Sequence, residues 1–422
     1  MENVRPQRGR IWCVFVVFYK PCIPSGYEKY WDGSMKLRKD KWEFIRLGDI
    51  CEKVKSVDIR KQKGTFNYID IGSINSELKR VSEIQEIDWS VASSRARQIV
   101  KKGDTLFSTV RVNLERVAFL EHELNDLIAS TGFTVVRANE KSDGQYLFYT
   151  VSSPQFIDRL SKLQKGTAYP AVTDKIVFNE EIPLPPLEEQ KQIAALFQSI
   201  ETAMEKVEGQ EKNLKALRKS LINKLTKQNP EFGTLLTKSI YKEYSIGDLA
   251  VEVPDRTDNP QKSGIEKFIG LEEFESGELT IRKFSSTEKL VSAMKLCKKG
   301  DVLFARRNAY LKRASLTDFD AVCSGDVIVM RANEKIILPK FLILIMNTDE
   351  FWEFAISNAA GTMSKRVKWR DLATYALELP DLNIQAKILE IFNQLETTLS
   401  HLKHQKTTLK HLKQKLLNEI LS

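Results

Sequence analysis

Two long and highly charged stretches of this chain carry an apolar residue at every seventh position, and a second series of positions follows the first by three residues. This is the a/d heptad pattern that predicts a coiled coil. A helix of this kind needs a partner for its apolar stripe, and the other helix of the chain is the obvious one. The alternative is ordinary packing of each helix inside a globular core. The predicted interface residues are, in the first helix, Ile193, Leu196, Ile200, Val207, Gln210, Leu214, Leu217 and Leu221, and, in the second helix, Ile388, Ile391, Leu395, Leu402, Gln405, Leu409, Leu412 and Leu416.

Two glutamines, Gln210 and Gln405, stand at the same heptad position of this stripe. A polar side chain in the seam of a coiled coil fixes the register at some cost in stability, and we expect both glutamines to do so. If each globular part lies at the start of its own helix, antiparallel pairing predicts a pseudo-twofold molecule with a globular part at each end.

Shorter apolar runs precede each long helix. Runs such as FNYIDIGSI from Phe66 alternate or are β-branched, which predicts strands, and Gly103 and Gly300 predict the turns that lead into two of them. The segments 145–160 and 339–357 have the periodicity of helices. Each globular part is therefore predicted to be mixed α and β.

The chain is internally repeated, with the same strings in the same order in both halves. KKGDTLFS at 101–108 recurs as KKGDVLFA at 298–305, and GTAYPAV at 166–172 recurs as GTMSKRV at 361–367. Two homologous modules can present two similar surfaces to one target. The predicted organisation is α+β, with an N-terminal extension (1–37), a first mixed domain (38–186), a spacer helix (187–229), a second mixed domain (230–381) and a second spacer helix (382–422).

The extension at 1–37 stands outside the repeat. Its apolar run at 11–19 follows three arginines but is too short to span a bilayer. We expect an atypical and poorly ordered segment, and no membrane association.

Charge and cysteine content narrow the class of partner. The chain has 65 Lys and Arg against 56 Asp and Glu, a net charge of +9, which favours a polyanionic partner over a merely soluble basic surface. The five cysteines are odd in number and lack metal-ligand spacing. This usage fits a reducing cytoplasm.

Catalytic motifs are absent from the sequence. It contains no glycine-rich nucleotide loop, no nucleophile elbow and no metalloprotease helix motif. Three of the four histidines fall on the last helix outside its apolar stripe, where a solvated face is the simpler interpretation than a metal site. We therefore predict no catalytic residue, no metal and no cofactor.

Candidate DNA-binding residues cluster in two loops of each half. Guanidinium and amide groups read guanine and adenine edges in the major groove, whereas lysines mostly contact phosphates. Strings such as KKGD and RANEK are identical in the two copies, whereas these loops differ in sequence, as expected if one fold reads two short sequences. The candidates after the KKGD strand are Arg111, Asn113 and Arg116 in the first half and Arg306, Arg307, Asn308, Tyr310, Lys312 and Arg313 in the second; those beside the GT string are Lys165, Tyr169 and Lys175, and Lys365, Arg366, Lys368 and Arg370; a weaker pair is Arg95 and Arg97.

From about Trp42 onward the chain resembles the specificity subunit of type I restriction-modification systems. The order of globular part, linker and long helix carries the resemblance, above all PLPPLEEQKQIAALF at 183–197, together with LGDI at Leu47 and IGDL at Ile246. The resemblance implies two target recognition domains separated by paired helices. It also implies methyltransferase subunits docked on the chain, a translocating restriction subunit, and adenine methylation at a bipartite, asymmetric site. The second copy departs from the pattern, because LNIQ at 382–385 stands where the first copy has LEEQ.

We therefore predict a non-catalytic reader of double-stranded DNA that directs methylation and restriction by partner subunits. Two alternatives come from other classes. One is a stand-alone nuclease or methyltransferase with an unrecognised site, and the other is a coiled-coil adaptor that binds proteins only. Steep weakening of DNA binding with salt distinguishes a DNA reader from that adaptor.

Overall fold

The computed structural model describes Leu37, residues 39–225 and residues 241–421. These fall into two compact units. Unit one contains the described residues up to Glu208 together with those from His404 onward, and unit two contains the described residues between Gly209 and Lys403. Apart from Leu37, the predicted extension at 1–37 lies outside the described residues.

Unit one is built from short strands in small sheets, with helices at their margins. The sheet orders are β1-β11, β3-β4, β10-β7-β8 and β5-β2-β9-β6, and all pairs are antiparallel except β2 with β9. The strands are β1 (Glu43–Arg46), β2 (Thr65–Ile69), β3 (Ile74–Asn75), β4 (Arg80–Val81), β5 (Gln85–Asp88), β6 (Ala96–Ile99), β7 (Thr105–Ser108), β8 (Val117–Phe119), β9 (Leu127–Ser130), β10 (Phe133–Val136) and β11 (Glu181–Leu184), and the helices are α1 (Gly144–Val151), α2 (Pro154–Lys162), α3 (Asp174–Asn179) and the start of α4 (Leu187–Ile222).

Unit two repeats this plan with larger sheets. The sheet orders are β12-β22, β13-β21-β18-β19 and β14-β17-β20-β15-β16, and the parallel pair is β15 with β20. The strands are β12 (Lys242–Ser245), β13 (Ala250–Glu252), β14 (Arg256–Thr257), β15 (Lys267–Ile269), β16 (Ser285–Ser286), β17 (Met294–Cys297), β18 (Val302–Ala305), β19 (Ala314–Leu316), β20 (Ala321–Cys323), β21 (Val327–Ala332) and β22 (Ala376–Leu379), and the helices are α5 (Ile246–Leu249), α6 (Pro339–Ile345), α7 (Asp349–Ser357), α8 (Trp369–Leu372) and α9 (Leu382–Ile420), which continues into unit one.

The predicted mixed α and β composition and its duplication are confirmed. Strand β7 lies between β10 and β8 in unit one, and β18 lies between β21 and β19 in unit two. Gly103 and Gly300 have φ values of 90° and 93°, so the turns predicted before these central strands are present.

The aspartate of KKGD (101–104 and 298–301) and the arginine of the repeated string RANEK (137–141 and 331–335) form one ion pair in each unit, in which the carboxylate is buried. The Asp104 carboxylate is fully buried and accepts two hydrogen bonds from Arg137, both of 2.7 Å. Asp301 accepts two from Arg331, both of 2.8 Å. A buried carboxylate needs such a bidentate partner, so both members of the pair recur in both copies.

A buried glutamine fixes the start of each long helix. In α4, the Gln190 side-chain amide donates to the Pro185 carbonyl at 2.8 Å and to the Lys141 carbonyl at 3.1 Å. In α9, Gln385 donates in the same way to the carbonyl oxygens of Pro380 and Ile336, at 2.9 and 3.0 Å. The LNIQ string therefore preserves the glutamine that links the long helix to its domain.

Within unit one, the two long helices run in opposite directions. Lys413 pairs with Glu201 at 2.6 Å, and Lys406 pairs with Glu208 at 2.8 Å. The partner number falls along α9 as the residue number rises along α4, which is the pattern of antiparallel neighbours.

Within unit two, the same direction holds. The Arg218 side chain is 7% exposed and pairs with Glu396 at 2.5 Å. Ile222 and Leu225 of the first helical segment share a hydrophobic core with Ile388 and Phe392 of α9.

The predicted apolar stripe needs a correction at three positions of its second series. Gln210 and Gln405 are exposed, and Leu217 is 49% exposed, so these three side chains do not form a buried seam. Arg218 is buried in place of the neighbouring Leu217, whereas Leu196 and Leu412 of the predicted series are themselves buried. A heptad repeat allows a step of three or of four after the first series, and the sequence alone did not decide between the two.

Candidate nucleic-acid interface

In each unit, the strand predicted to lead into a recognition loop ends in the same unusual backbone. After β7, Arg111 and Glu115 have φ values of 50° and 53° and enclose the 3-10 turn Val112–Leu114. After β18, Asn308 and Lys312 have φ values of 56° and 49° and enclose Ala309–Leu311. Left-handed residues other than glycine store strain of about 1–3 kcal/mol each and cluster at functional sites. We call residues 109–116 and 306–313 the strand loops.

The second candidate loop of each unit, the GT loop, is a closed turn at residues 165–172 and 360–367. Lys165 and Ala171 exchange backbone hydrogen bonds of 2.9 and 3.0 Å in unit one, and Ala360 and Arg366 exchange bonds of 3.0 and 2.9 Å in unit two. Gly361 has a φ of 124°, and a Cβ at this position would lie 3.2 Å from the Ser364 carbonyl oxygen. The GT string is therefore repeated because this turn requires its glycine.

The structure brings the two predicted loops of each unit together. In unit one, the Arg111 amide donates to the Pro170 carbonyl at 2.8 Å. In unit two, the Asn308 amide donates to the Lys365 carbonyl at 3.1 Å. The weaker candidate Arg95 lies close to the strand loop of unit one. Its carbonyl accepts a 2.8 Å hydrogen bond from the Thr131 amide, and the carbonyl of the next residue, Gly132, accepts one of 3.0 Å from the Thr109 amide of that loop.

In unit one, the candidate side chains differ in their exposure and in the contacts they make with the rest of the protein. Arg111 is exposed and lies 5.2 Å from the ring of Tyr169, which is itself 73% exposed. Arg116 is half-buried and donates to the Ile71 carbonyl at 3.0 Å, so it supports the loop. The Arg97 Nε donates to the Ser94 carbonyl at 2.8 Å, although Arg97 is exposed. The remaining candidates, which are all exposed, are Asn113, Lys165 and Lys175.

In unit two, several candidates are held by other groups of the protein. Lys312 pairs with Asp349 at 2.9 Å, and Arg370 pairs with Asp371 at 3.1 Å. Arg313 donates to the Leu271 carbonyl at 2.8 Å, and burial lowers the pKa of its guanidinium. The exposed candidates are Tyr310, Lys365, Lys368 and, despite its ion pair with Asp371, Arg370.

Three half-buried arginines of unit two surround one carboxylate that the sequence analysis did not single out. Asp326 pairs with Arg366 at 2.7 Å and with Arg307 at 3.8 Å, and its backbone carbonyl accepts from the Arg306 amide at 3.0 Å. The hydrogen bond from Arg366 and the charges of all three arginines hold the pKa of Asp326 below its usual value. Sequence reasoning missed this residue because an acidic side chain is not expected on a surface that meets phosphates.

Another missed residue is Met363, whose side chain is 99% exposed at the tip of the GT loop in unit two. Alanine stands at the same point of the turn in unit one, at Ala168. The only sequence signal was the difference between the two strings.

Replacement of Gly361 by alanine tests the need for the turn. We expect Gly361→Ala to destabilise the loop region by about 2 kcal/mol, because its φ is disfavoured for any residue with a Cβ. Hydrogen exchange of unit two measures the effect. Gly325→Ala is the matched control, since a Cβ there meets nothing within 4 Å, and we expect it to change stability by less than about 0.5 kcal/mol. Equal effects of the two substitutions would contradict this account.

Two other kinds of site were sought among the described residues. No helix there is long and apolar enough to cross a membrane. No group of three or more His, Cys, Asp or Glu side chains in that part of the chain is placed to hold a metal ion.

Comparison with known proteins gives a consistent family. A sequence model of the type I restriction modification DNA specificity domain matches residues 39–216 and again 240–411. The chain is 28% identical over 216 residues to the type I restriction enzyme MjaVIII specificity subunit of Methanocaldococcus jannaschii, across 50% of this chain and 46% of that protein. It is 28% identical over 165 residues to the HindI specificity subunit of Haemophilus influenzae, across 37% of this chain and 36% of that protein. The matches thus span less than half of each relative.

The fold is also found among solved structures. A chain from a structure of a type I R-M system, studied for complex assembly and conformational transition, superposes with a TM-score of 0.61 at 24% identity. The match covers 90% of this chain and 97% of that chain.

Proposed function

We propose that this chain, which belongs to the family of type I restriction-modification DNA specificity proteins, reads a bipartite and asymmetric DNA site through two unlike surfaces. The observation that carries the proposal is that each unit joins a strand loop to a GT loop with the same backbone but different side chains. A shared loop backbone with different base-contacting side chains allows two units of one fold to recognise two different half-sites.

Membership of this family confirms two predictions. The relatives are specificity subunits, which recognise DNA sequence in type I restriction systems, so the resemblance found in the sequence is confirmed. These subunits are not catalytic, so the prediction that this chain is not an enzyme is confirmed as well.

The two long helices are proposed to form an antiparallel coiled coil that sets the distance between the half-sites. The ion pairs Glu201–Lys413 and Glu208–Lys406 support this arrangement, because the residue number falls along α9 as it rises along α4. In unit two, the ion pair Arg218–Glu396 is consistent with the same direction. The heptad repeat places these residues along one face of each helix. The domain boundaries at 38–186, 187–229, 230–381 and 382–422 are part of the same proposal.

Partner subunits are proposed to supply the chemistry. Methyltransferase subunits would bind this chain and methylate adenines in the two half-sites, and a translocating restriction subunit would act on unmodified DNA. The support is the family and the absence of catalytic motifs in the sequence.

Exposed lysines and arginines of the surface are expected to contribute differently to DNA binding. In Lys165→Ala with Lys175→Ala, we expect a uniform loss of affinity for all duplexes, and a salt dependence whose logarithmic slope falls by about two, since each lysine neutralises one phosphate. In Arg111→Ala, we expect about 1–3 kcal/mol less discrimination at one base pair of the first half-site. Equilibrium titration of the full chain with matched duplexes measures both.

The same titration separates the alternatives. Purified alone, the chain should bind its duplex and transfer no methyl group. Robust methyl transfer or cleavage without partners would favour a stand-alone enzyme. An affinity for DNA that is absent, or that is insensitive to salt, would favour an adaptor that binds proteins only.

A further inference from the structure

Asp326 occupies a position on the proposed DNA-binding surface of unit two where a negative charge opposes phosphate binding. Its carboxylate faces two guanidinium groups, with Arg366 Nε at 2.7 Å and Arg366 Nη2 at 3.4 Å, and with Arg307 Nη1 at 3.8 Å. The side chains of Arg307 and Arg366 are 43% and 42% exposed. Both arginines therefore keep part of the guanidinium group accessible to solvent, while the Asp326 carboxylate holds the opposite side of that group.

The constellation is specific to unit two although its backbone is shared. Arg307 and Arg366 lie opposite each other in a bridge between the strand loop and the GT loop, and Val110 and Ala171 form the same bridge in unit one. The Asp326 carbonyl accepts from the Arg306 amide at 3.0 Å, and the Gly132 carbonyl accepts from the Thr109 amide at 3.0 Å. Both arginines and the carboxylate are thus replaced together by apolar residues and glycine.

Unit one has glycine at the position of Asp326, and a side chain there would have to displace Ile71. A Cβ at Gly132 would lie 2.7 Å from Ile71 Cδ1, which is closer than real side-chain contacts. The two units therefore differ at three neighbouring positions, where two arginines and one aspartate are present together in unit two and absent together from unit one.

A purely structural role does not account for Asp326. Ion pairs between side chains exposed to this degree contribute about 1 kcal/mol or less to stability. The recorded partners of the carboxylate are guanidinium groups, whereas unit one keeps the same loop backbone without it. What the carboxylate adds is the orientation of the guanidinium planes.

We propose that Asp326 is a positioning residue for Arg366 and Arg307, and that these two arginines read guanine in the half-site bound by unit two. Guanine presents O6 and N7 to the two terminal nitrogens of a planar guanidinium, so recognition depends on the angle of that plane. Asp326 accepts from Nε and, at 3.4 Å, from Nη2 of Arg366, and Nη1 donates to the Ser364 carbonyl at 3.5 Å. The remaining N–H groups of the two terminal nitrogens are the donors available to a base. The inference rests on the proposed function, since it assigns a base preference to one of its two surfaces.

Asp326→Asn in the full chain is the test, with binding measured by titration of duplexes in which each base pair of both half-sites is changed in turn. We expect discrimination for guanine at one position of the second half-site to fall about tenfold, with the first half-site unchanged. Affinity for a duplex without the site should rise, and its salt dependence should become steeper, because one negative charge is removed from the surface. A structural defect would lower both kinds of binding.

Two further variants make the test decisive. Arg366→Lys keeps the charge but loses the planar fork, so we expect the same loss at the same guanine without the rise in non-specific affinity. Asp318→Asn removes an exposed carboxylate elsewhere in unit two and should leave discrimination unchanged. If the wild type discriminates in its second half-site and Asp326→Asn retains full discrimination, or loses specific and non-specific affinity in parallel, the inference is wrong. If the wild type itself prefers no sequence, the proposed function is wrong.

Discussion

Deletion of one heptad from each long helix is expected to shorten the DNA spacer by about three base pairs. Residues 207–213 and 401–407 face each other in the proposed antiparallel coil, which loses about 10 Å at ~1.5 Å per residue, whereas DNA rises ~3.4 Å per base pair. A whole heptad preserves the face of each helix, so both half-site sequences should stay the same. On the original spacing we expect specific affinity to fall by about 100-fold, which corresponds to one lost half-site of roughly 3 kcal/mol.

Selection of bound duplexes from a library with a variable spacer measures this directly. A deletion of residues 207–211 and 403–407 is the control, because five residues rotate the helix faces by about 140° at ~100° per residue and should abolish binding at every spacing. An unchanged preferred spacer after the whole-heptad deletion would contradict the role of the helices in setting the distance.

Loss of Glu396 is expected to destabilise the helix pairing in unit two by about 3 kcal/mol. The Arg218 side chain is 7% exposed, and its guanidinium has two partners, Glu396 Oε1 at 2.5 Å and the Gly277 carbonyl at 2.6 Å. Glu396→Ala leaves a buried positive charge with the carbonyl alone, which is costly because burial has removed its water. Hydrogen-exchange protection of α9 within unit two should fall about 100-fold.

Two comparisons identify the buried charge as the cause. Arg218→Met with Glu396→Leu removes both charges and should recover most of the lost protection, because apolar pairs replace buried ion pairs at little cost. Glu208→Ala removes an ion pair that is 41% exposed on its acidic side and should cost less than about 1 kcal/mol. If Glu396→Ala and Glu208→Ala have the same effect, Arg218 is not the buried polar residue that fixes the helix pairing.

Much of the fold followed from patterns in the sequence. Duplicated strings predicted duplicated domains, and Gly103 and Gly300 lie at the predicted turns with positive φ. These features are local, since a turn before an apolar strand is decided by a few neighbouring residues. The repeated Gln190 and Gln385 were visible as matching letters, but their contacts with the carbonyl groups of their own domains required the structure.

The register of the helix stripe could not be read from the sequence. Leu196 and Phe197 are both apolar and both buried, so steps of three and four after Ile193 fit equally well. Gln210 and Gln405 favoured the step of three, because a pair of polar residues at the same heptad position is typical of a coiled-coil interface. The buried polar position is Arg218, whose pairing with Glu396 depends on the other helix.

The candidate surface was predictable in its loops but not in its internal pairing. Positive charge and differences between the copies located the strand loops and the GT loops. Which arginines support the fold and which face solvent depends on partners distant in sequence, as with Arg116 on the Ile71 carbonyl. Asp326 could not be found from charge alone, because its role depends on its position between two arginines.

Mapping of methylated adenines in host DNA tests the central claim most directly. Cells with this chain and its proposed methyltransferase subunits should show methylation in two unlike half-sites at one fixed spacing, and cells without the chain should lose every such site. Replacement of the unit-two loops at 306–313 and 360–367 should change the second half-site alone. Methylation that persists without the chain, or a single contiguous or palindromic site, would contradict the account.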